Sequence, residues 1–308
     1  MAQSAALFRI GTRGSALALA QARMVQARLA ATLGVEAEAL ALVVIRTTGD
    51  AIEDRPLAEQ GGKGLFTKEI DEALLDGRID LAVHSAKDVP TFLPRGLVLA
   101  ACLEREDPRD AFVSRIAASL GDLPYGARLG TSSLRRQAIA RKTRPDLRVV
   151  ALRGNVETRL RKLDEGAADA TILALAGLKR LDMEVRATRV MSVAEFLPAV
   201  AQGAIAIAAR EHDARVREAL ARIDHVETST TIACERAFLA ALDGSCRTPI
   251  AGHATLSGGA LHIRGMIIKP DGSAAHEIAR SGSRSEATMI GADAGRSLRQ
   301  QAGRGFFD

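Results

Sequence analysis

The sequence predicts an α/β protein with largely parallel sheets and a smaller α+β domain at its C-terminal end, and three observations carry that expectation. Short apolar runs alternate with helix-period segments along the first two-thirds of the chain, the pattern of βαβ units. Two strand–turn–helix junctions echo each other: Ile10-Gly11-Thr12 before Gly14-Ser15, and Leu129-Gly130-Thr131 before Ser132-Ser133. Two lobes of similar topology, facing each other across a cleft, would leave such a short match. After about residue 225 the pattern changes to one helix, then to apolar–polar alternation around Gly-Gly and Asp-Gly turns, which reads as an antiparallel meander.

Taken in order, FRIGTRGSALALAQARMVQARLA (8–30) reads as strand, tight turn and helix. ALVVIRTTGD (41–50) is a buried strand running into a polar loop, and FTKEIDEALLDG (66–77) is an amphipathic helix that Gly77 should end. IDLAVHSAKDVP (79–90) is a strand that carries His84, Ser85, Lys87 and Asp88 at its C-terminal end before Pro90 stops it. ARLGTSSLRRQAIARKTRP (127–145), LRVVALRGNVETRLRKLDEG (147–166) and DATILALAGLKRL (169–181) each repeat strand, turn and helix. TSTTIACERAFLAALDG (228–244) supplies the last-domain helix, and HATLSGGALHIRGMIIKPDGSAAHEIARS (253–281) supplies its sheet.

With 308 residues, 47% apolar and 26% charged, the chain can bury sizeable cores and divides into two or three domains. Its longest mostly apolar run, 197–209, is broken by Pro198, Gln202 and Gly203 and falls short of the ~20 residues of a membrane helix. MAQSAALFRIG lacks the charged and apolar regions of a signal peptide, so a cytoplasmic protein is expected. Three cysteines without metal-type spacing imply neither a disulfide framework nor a metal site.

The formal charge is +5, and between Arg128 and Lys162 there are eleven Lys/Arg against two acidic residues, so an anion is the expected partner. With no Trp, one Tyr and eight Phe, none interleaved with the basic run, there is no stacking platform for single-stranded nucleic acid. Duplex binding needs only Lys and Arg and stays open on charge alone, and a small polycarboxylate fits equally well.

Cys102, in LVLAACLE, and Cys234, in the apolar helix 230–242, read as buried structural thiols. Cys246 stands apart in DGSCRTP (243–249), a loop of turn formers, with Arg247 beside it to favour the thiolate. Either it is tolerated there by chance or something is attached to it. At the two echoing junctions, backbone N–H groups of a helix start lie beside Thr12, Ser15, Thr131, Ser132 and Ser133, with Arg13, Arg135 and Arg136 adding positive charge. These hydroxyls could be plain N-caps, but the same device twice favours a bound polyanion. Arg153 leaves a strand end, Asn155 is the expected N-cap of the next helix, and Arg159 lies one turn into it; guanidinium forks suit carboxylates. Asp88 is a carboxylate expected near a positive cleft, where it could stabilise a developing cation or move a proton. GGKGLFTKE (61–69) looks like a mobile Gly-rich loop entering a helix but lacks P-loop spacing.

Six stretches in order, IGTRGSALALAQA (10–22), GGKGLFTKE, VHSAKDVP (83–90), LGTSSLRRQA (129–138), LRGNVETRL (152–160) and DGSCRTPI (243–250), together with LPAVAQGA (197–204), resemble the porphobilinogen deaminase (hydroxymethylbilane synthase) family. The resemblance runs from about residue 8 to the end. It implies two α/β lobes like those of periplasmic binding proteins plus a small C-terminal α+β domain. The expected division is 1–103 with 200–222, 104–199, and 223–308, the first domain being discontinuous. It further implies a dipyrromethane cofactor held by Cys246 through a thioether, and stepwise addition of porphobilinogen with loss of ammonia to give hydroxymethylbilane. On the matching positions, Asp88, Arg13, Lys87, Arg153 and Arg159 would be catalytic. Lys63, Lys87, Asp88, Ser133, Arg135 and Arg136 would hold the cofactor with Cys246, and Arg13, Ser15, Arg153, Arg159 and Gln202 would bind substrate. Arg180 matches a position near the cleft. A monomer is implied, with no metal, nucleic-acid or membrane partner. One departure concerns Gln202, which follows Ala201 where the family often has Gly. The competing reading, a non-enzymatic two-lobed binder of a small polyanion, explains the lobes and arginines but gives no reason for Cys246 or Asp88.

Overall fold

The computed structural model describes residues 6–48, 67–244, 248–303 and Phe306. The chain opens with β1 (Phe8–Thr12) and turns through Ser15 into α1 (Ala16–Leu33), followed by β2 (Leu40–Val44), α2 (Lys68–Leu75), β3 (Leu81–Ser85) and β4 (Leu97–Cys102). Next come β5 (Asp110–Ser114), β6 (Arg128–Gly130), α3 (Leu134–Thr143), β7 (Arg148–Val150), α4 (Val156–Asp164), β8 (Ala170–Ala174), α5 (Leu175–Lys179) and β9 (Arg189–Val190). After β10 (Ile205–Arg210) and α6 (Ala214–Ala221), the last part is α7 (Val226–Ala241), β11 (Ile250–Ser257), β12 (Ala260–Ile268), β13 (Ala275–Ser283) and α8 (Ala287–Ala302).

Two compact units emerge: the first holds the described residues up to Glu106 together with Ala204–Ser229, the second holds Asp107–Gly203 and the residues from Thr230 onward. In the first, the sheet order is β2-β1-β3-β10-β4, with β1 parallel to β2 and β3, and β10 antiparallel to both its neighbours. In the second, the order is β7-β6-β8-β5-β9, with β6 parallel to β7 and β8, and β5 antiparallel to both its neighbours. Position for position the two sheets match. The expectation of largely parallel sheets is therefore corrected to mixed ones. β10 and β5 each enter without a helical crossover from a neighbouring strand, and only such a crossover obliges a strand to run parallel.

The first sheet packs on α1, whose Ala22, Val25 and Leu29 meet Ile10, Leu40, Leu81 and Ile207 in one buried cluster. α2 covers the other face with Ile70, Ala73 and Leu74, and Gly77 follows it at φ 69° as the expected stop. β3 does not run on into a loop: a single helical turn, Ala86–Asp88, carries Lys87 and Asp88. In the second unit, Phe112, Leu129, Ile139 and Ile172 pack with Phe196 and with Ala251 and Met266 of the last sheet. That sheet is the expected antiparallel meander, β11-β12-β13. Two glycines of α8 let it lie directly on α7, since a Cβ at Gly291 would sit 2.0 Å from the Cys234 carbonyl oxygen and one at Gly295 2.6 Å from that of Phe238. The fold is thus two α/β lobes with a C-terminal α+β portion.

Candidate active site

In the first unit β1 and β3 are parallel neighbours, so their C-terminal ends open along one sheet edge, where α/β sheets hold ligands. Arg13, Ser15 and Gln21 from the β1–α1 junction line a pocket there with Thr67, His84, Ser85 and Asp88. The approach is close, because a Cβ at Gly11 would sit 2.3 Å from Ile79 Cδ1. Ser15 caps α1, its Oγ accepting from the Ala18 N–H at 3.3 Å. Gln21, 2% exposed, donates from Nε2 to Ser85 Oγ at 2.9 Å, fixing that hydroxyl at the pocket wall. Burial, and then the positive charge of Arg13, pull the His84 pKa down to about 4, so a neutral imidazole faces the pocket. Asp88 is exposed, and among the described residues it makes no hydrogen bond or ion pair. Lys87, beside it, is half-buried.

The second unit builds its junction differently. Ser133 caps α3 through the Arg136 N–H at 3.4 Å, and the side chains of Arg135 and Arg136, 5% and 6% exposed, turn inward onto Asp110 of β5. Arg136 donates to Asp110 Oδ1 from Nε at 3.0 Å and Nη2 at 2.7 Å, while Arg135 donates from Nη2 to Oδ2 at 2.8 Å. Arg135 also gives Nη1 to the Leu197 carbonyl at 2.8 Å and lies 5.6 Å above the Phe196 ring. Burial lowers the Arg135 pKa, against the pull of Asp110. Asn155 caps α4 as expected, accepting from the Thr158 N–H at 2.8 Å. Arg159 donates from Nε to the Gly154 carbonyl at 2.8 Å, and Arg153 is half-buried at the end of β7. Gln202 is 1% exposed and gives Nε2 to the Pro108 carbonyl at 2.8 Å; Arg180 donates to the Gly203 carbonyl at 2.7 Å. Gln202 thus stands behind the surface, as a support.

Much of the basic block is neutralised within the fold. Arg128 pairs with Asp169, Lys142 with Glu277, Arg144 with Asp146 and Arg161 with Glu165, besides the two arginines on Asp110. Counting charges along the sequence missed this, because most of the partners lie on other elements. It also missed Asp110 and Gln21 as parts of the site; the one signal for Asp110 is an acidic residue opening the apolar run AFV. Cys102 and Cys234 are buried as expected, and burial pushes the Cys234 thiol up to about 12. Cys246 and Lys63 lie outside the described residues.

Within the second unit the buried Nε of Arg135 and Nη1 of Arg153 lack a hydrogen-bond partner, and an orphaned guanidinium N–H calls for an anionic acceptor. Asp88, unpaired beside hydroxyl and amide groups, adds a group suited to a cationic or N–H-bearing centre. The fold is that of an α/β protein in which the second unit offers partnerless guanidinium N–H groups and the first an unpaired carboxylate. Residues 8–218 match the porphobilinogen deaminase dipyrromethane cofactor binding domain, and residues 229–300 match the porphobilinogen deaminase C-terminal domain. The chain is 60% identical over 298 residues to the porphobilinogen deaminase of Nitrobacter hamburgensis, covering 97% of this chain and 94% of that one. It is 59% identical to that of Nitrobacter winogradskyi over the same shares. Among solved structures, a periplasmic substrate-binding protein of an ABC transporter from Coxiella burnetii is similar over 70% of this chain and 92% of its own, at 15% identity and a TM-score of 0.45.

The chain belongs to the porphobilinogen deaminase family. It is a transferase that condenses porphobilinogen units head to tail, with release of ammonia, into hydroxymethylbilane on a dipyrromethane cofactor, a step of porphyrin and heme synthesis. The non-enzymatic reading falls away. No helix among the described residues is long and apolar enough to cross a membrane.

Proposed function

We propose that the roles in this reaction divide between the two units. In the first, Arg13 and Ser15 bind the carboxylates of incoming porphobilinogen, and Asp88 accepts hydrogen bonds from pyrrole N–H groups. Asp88 also stabilises the positive charge that grows on the substrate as ammonia leaves, and Lys87 beside it holds a cofactor carboxylate. In the second, Ser133, Arg135 and Arg136 hold the cofactor's side chains, with Lys63 assisting. Arg153 and Arg159 bind and place the substrate carboxylates, and Gln202 and Arg180 hold the turn behind them. When bound, through the thioether we assign to Cys246, the dipyrromethane supplies the free pyrrole carbon to which substrate units are joined. The observation that carries this division is the unpaired Asp88 in a pocket whose lining includes Arg13, His84, the Gln21 amide and the hydroxyls of Ser15, Thr67 and Ser85.

We read the chain as a cytoplasmic monomer with three domains, 1–103 with 200–222, 104–199, and 223–308. The separate sheet β11-β12-β13 supports the last of these. The test is the intact mass of the protein and of Cys246→Ser, each incubated with porphobilinogen. A gain equal to two porphobilinogen units less two ammonia on the native chain, absent from the variant, is the expected result. The same gain on both would remove Cys246 as the anchor.

A further inference from the structure

The segment 197–203 in the second unit is fastened at almost every residue. The Leu197 carbonyl accepts from Arg135, the Pro198 carbonyl from the Gly252 N–H, and the Gly203 carbonyl from Arg180. Gln202 reaches Pro108, two residues before Asp110. At its centre Ala201 sits at φ 63°, a left-handed conformation that costs a residue with a Cβ roughly 1–2 kcal/mol. One side chain holds it there. Glu235 of α7 is 0% exposed; its Oε2 accepts from the Ala201 N–H at 2.5 Å and its Oε1 from the Ala254 N–H of β11 at 2.7 Å.

A fully buried carboxylate is costly unless its acceptors are satisfied. This one joins α7 to the 197–203 turn and to β11. We propose that Glu235 is a positioning residue for the cofactor-binding arginines. By holding Ala201 left-handed it fixes the turn that carries Gln202 to Pro108 and presents the Leu197 carbonyl to Arg135, and so sets the Arg135–Arg136–Asp110 group. The proposal rests on the reading that these arginines hold the dipyrromethane.

Releasing the anchor frees the turn to leave a conformation whose cost corresponds to a factor of about 5–30, and cofactor uptake falls with the competent fraction. The test follows uptake of two porphobilinogen units by intact mass in cofactor-free full-length chain, for Glu235→Gln, Ala201→Gly, the double variant and Arg136→Gln. Uptake by Glu235→Gln should be about five- to thirty-fold slower. Ala201→Gly should be near normal, and in the double variant glycine should restore most of the rate, because it takes positive φ without an anchor. A merely structural role for Glu235 would move thermal stability and would not be rescued at that one position. Native-rate uptake by folded Glu235→Gln, or a double variant as slow as the single, overturns the proposal. If Glu235→Gln does not accumulate folded, the double variant must; failure of both also overturns it. Native uptake by Arg136→Gln would instead remove the reading on which the proposal rests.

Discussion

The two strand–helix junctions share a sheet position and a hydroxyl N-cap but treat charge in opposite ways. Beside the β1–α1 junction the carboxylate Asp88, on the turn that follows β3, is exposed and unpaired, in a pocket whose polar walls are hydroxyls, the Gln21 amide, a neutral imidazole and Arg13. Beside the β6–α3 junction the carboxylate Asp110 of β5 is wholly buried under the two guanidinium groups of Arg135 and Arg136. One junction keeps its charge available and the other locks it. On the roles proposed above, the same topology serves two purposes. A group that must answer charge developing during a reaction has to remain uncommitted, whereas groups that hold a resident anion gain from being fixed in advance. The Arg135–Arg136–Asp110 group also keeps a net positive charge where water is excluded, and there its field is least screened.

Removing either carboxylate tests that contrast. Asp110→Asn leaves two buried guanidinium groups without a counter-charge, and breaking a buried pair in this way costs about 3–5 kcal/mol. Denaturant unfolding should show that loss; a change under ~1 kcal/mol would mean water or another acid already neutralises the pair, and the locked junction would not exist. Asp88→Ala should do the reverse. Its exposed side chain supports nothing else, so stability should shift by no more than about 0.5 kcal/mol. Turnover should fall by about 10²–10³, the scale of losing one charge-stabilising group. Porphobilinogen consumption measured beside thermal unfolding separates the two, and near-native turnover would remove Asp88 from the chemistry.

How much of this was legible beforehand varies with the range of the interaction. Ser15 and Ser133 as N-caps, Asn155 as the cap of α4, Gly77 as a helix stop and the antiparallel last sheet follow from residues within a few positions of one another, where propensity and turn chemistry act. Partners far apart in sequence were hidden. Nothing near Arg135 and Arg136 announces Asp110, 25 and 26 residues away, and the basic block read as a site for an anion although Arg128, Arg135, Arg136 and Lys142 pair with acids on other elements. Strand direction failed for a related reason. Periodicity identifies β5 and β10 as strands but carries no sign of which way each enters its sheet, because direction is set by the connection and leaves no pattern within the strand.

The smallest effect concerns His84 and Asp71, two buried titrating groups of the first unit whose pH dependences oppose one another. His84 has a folded pKa of about 4 against an ordinary 6.5, so below 6.5 the unfolded chain takes up a proton that the native state refuses. Its contribution is complete above pH 6.5 and falls by about 3 kcal/mol as the pH drops to 4. Asp71 on α2, 5% exposed, is raised from 3.8 to about 6 by burial, so it is the native state that binds the proton first. Its contribution rises by roughly 3 kcal/mol as the pH drops from 6 to 3.8. Between pH 6 and 4 these two contributions nearly cancel, so the slope of the intact chain there is left to its other carboxylates, such as Asp80 and Asp146, which lose stability as the pH falls. Asp71→Asn should expose the His84 slope, with stability falling toward pH 4, and His84→Asn should expose the opposite slope, with stability rising. The readout is the slope of unfolding free energy against pH, which survives a uniform loss from altered packing. Parallel profiles for all three proteins would show that neither burial perturbs titration, and the pocket beside Asp88 would then admit a charged imidazole, making the first junction more positive than the contrast with the second requires.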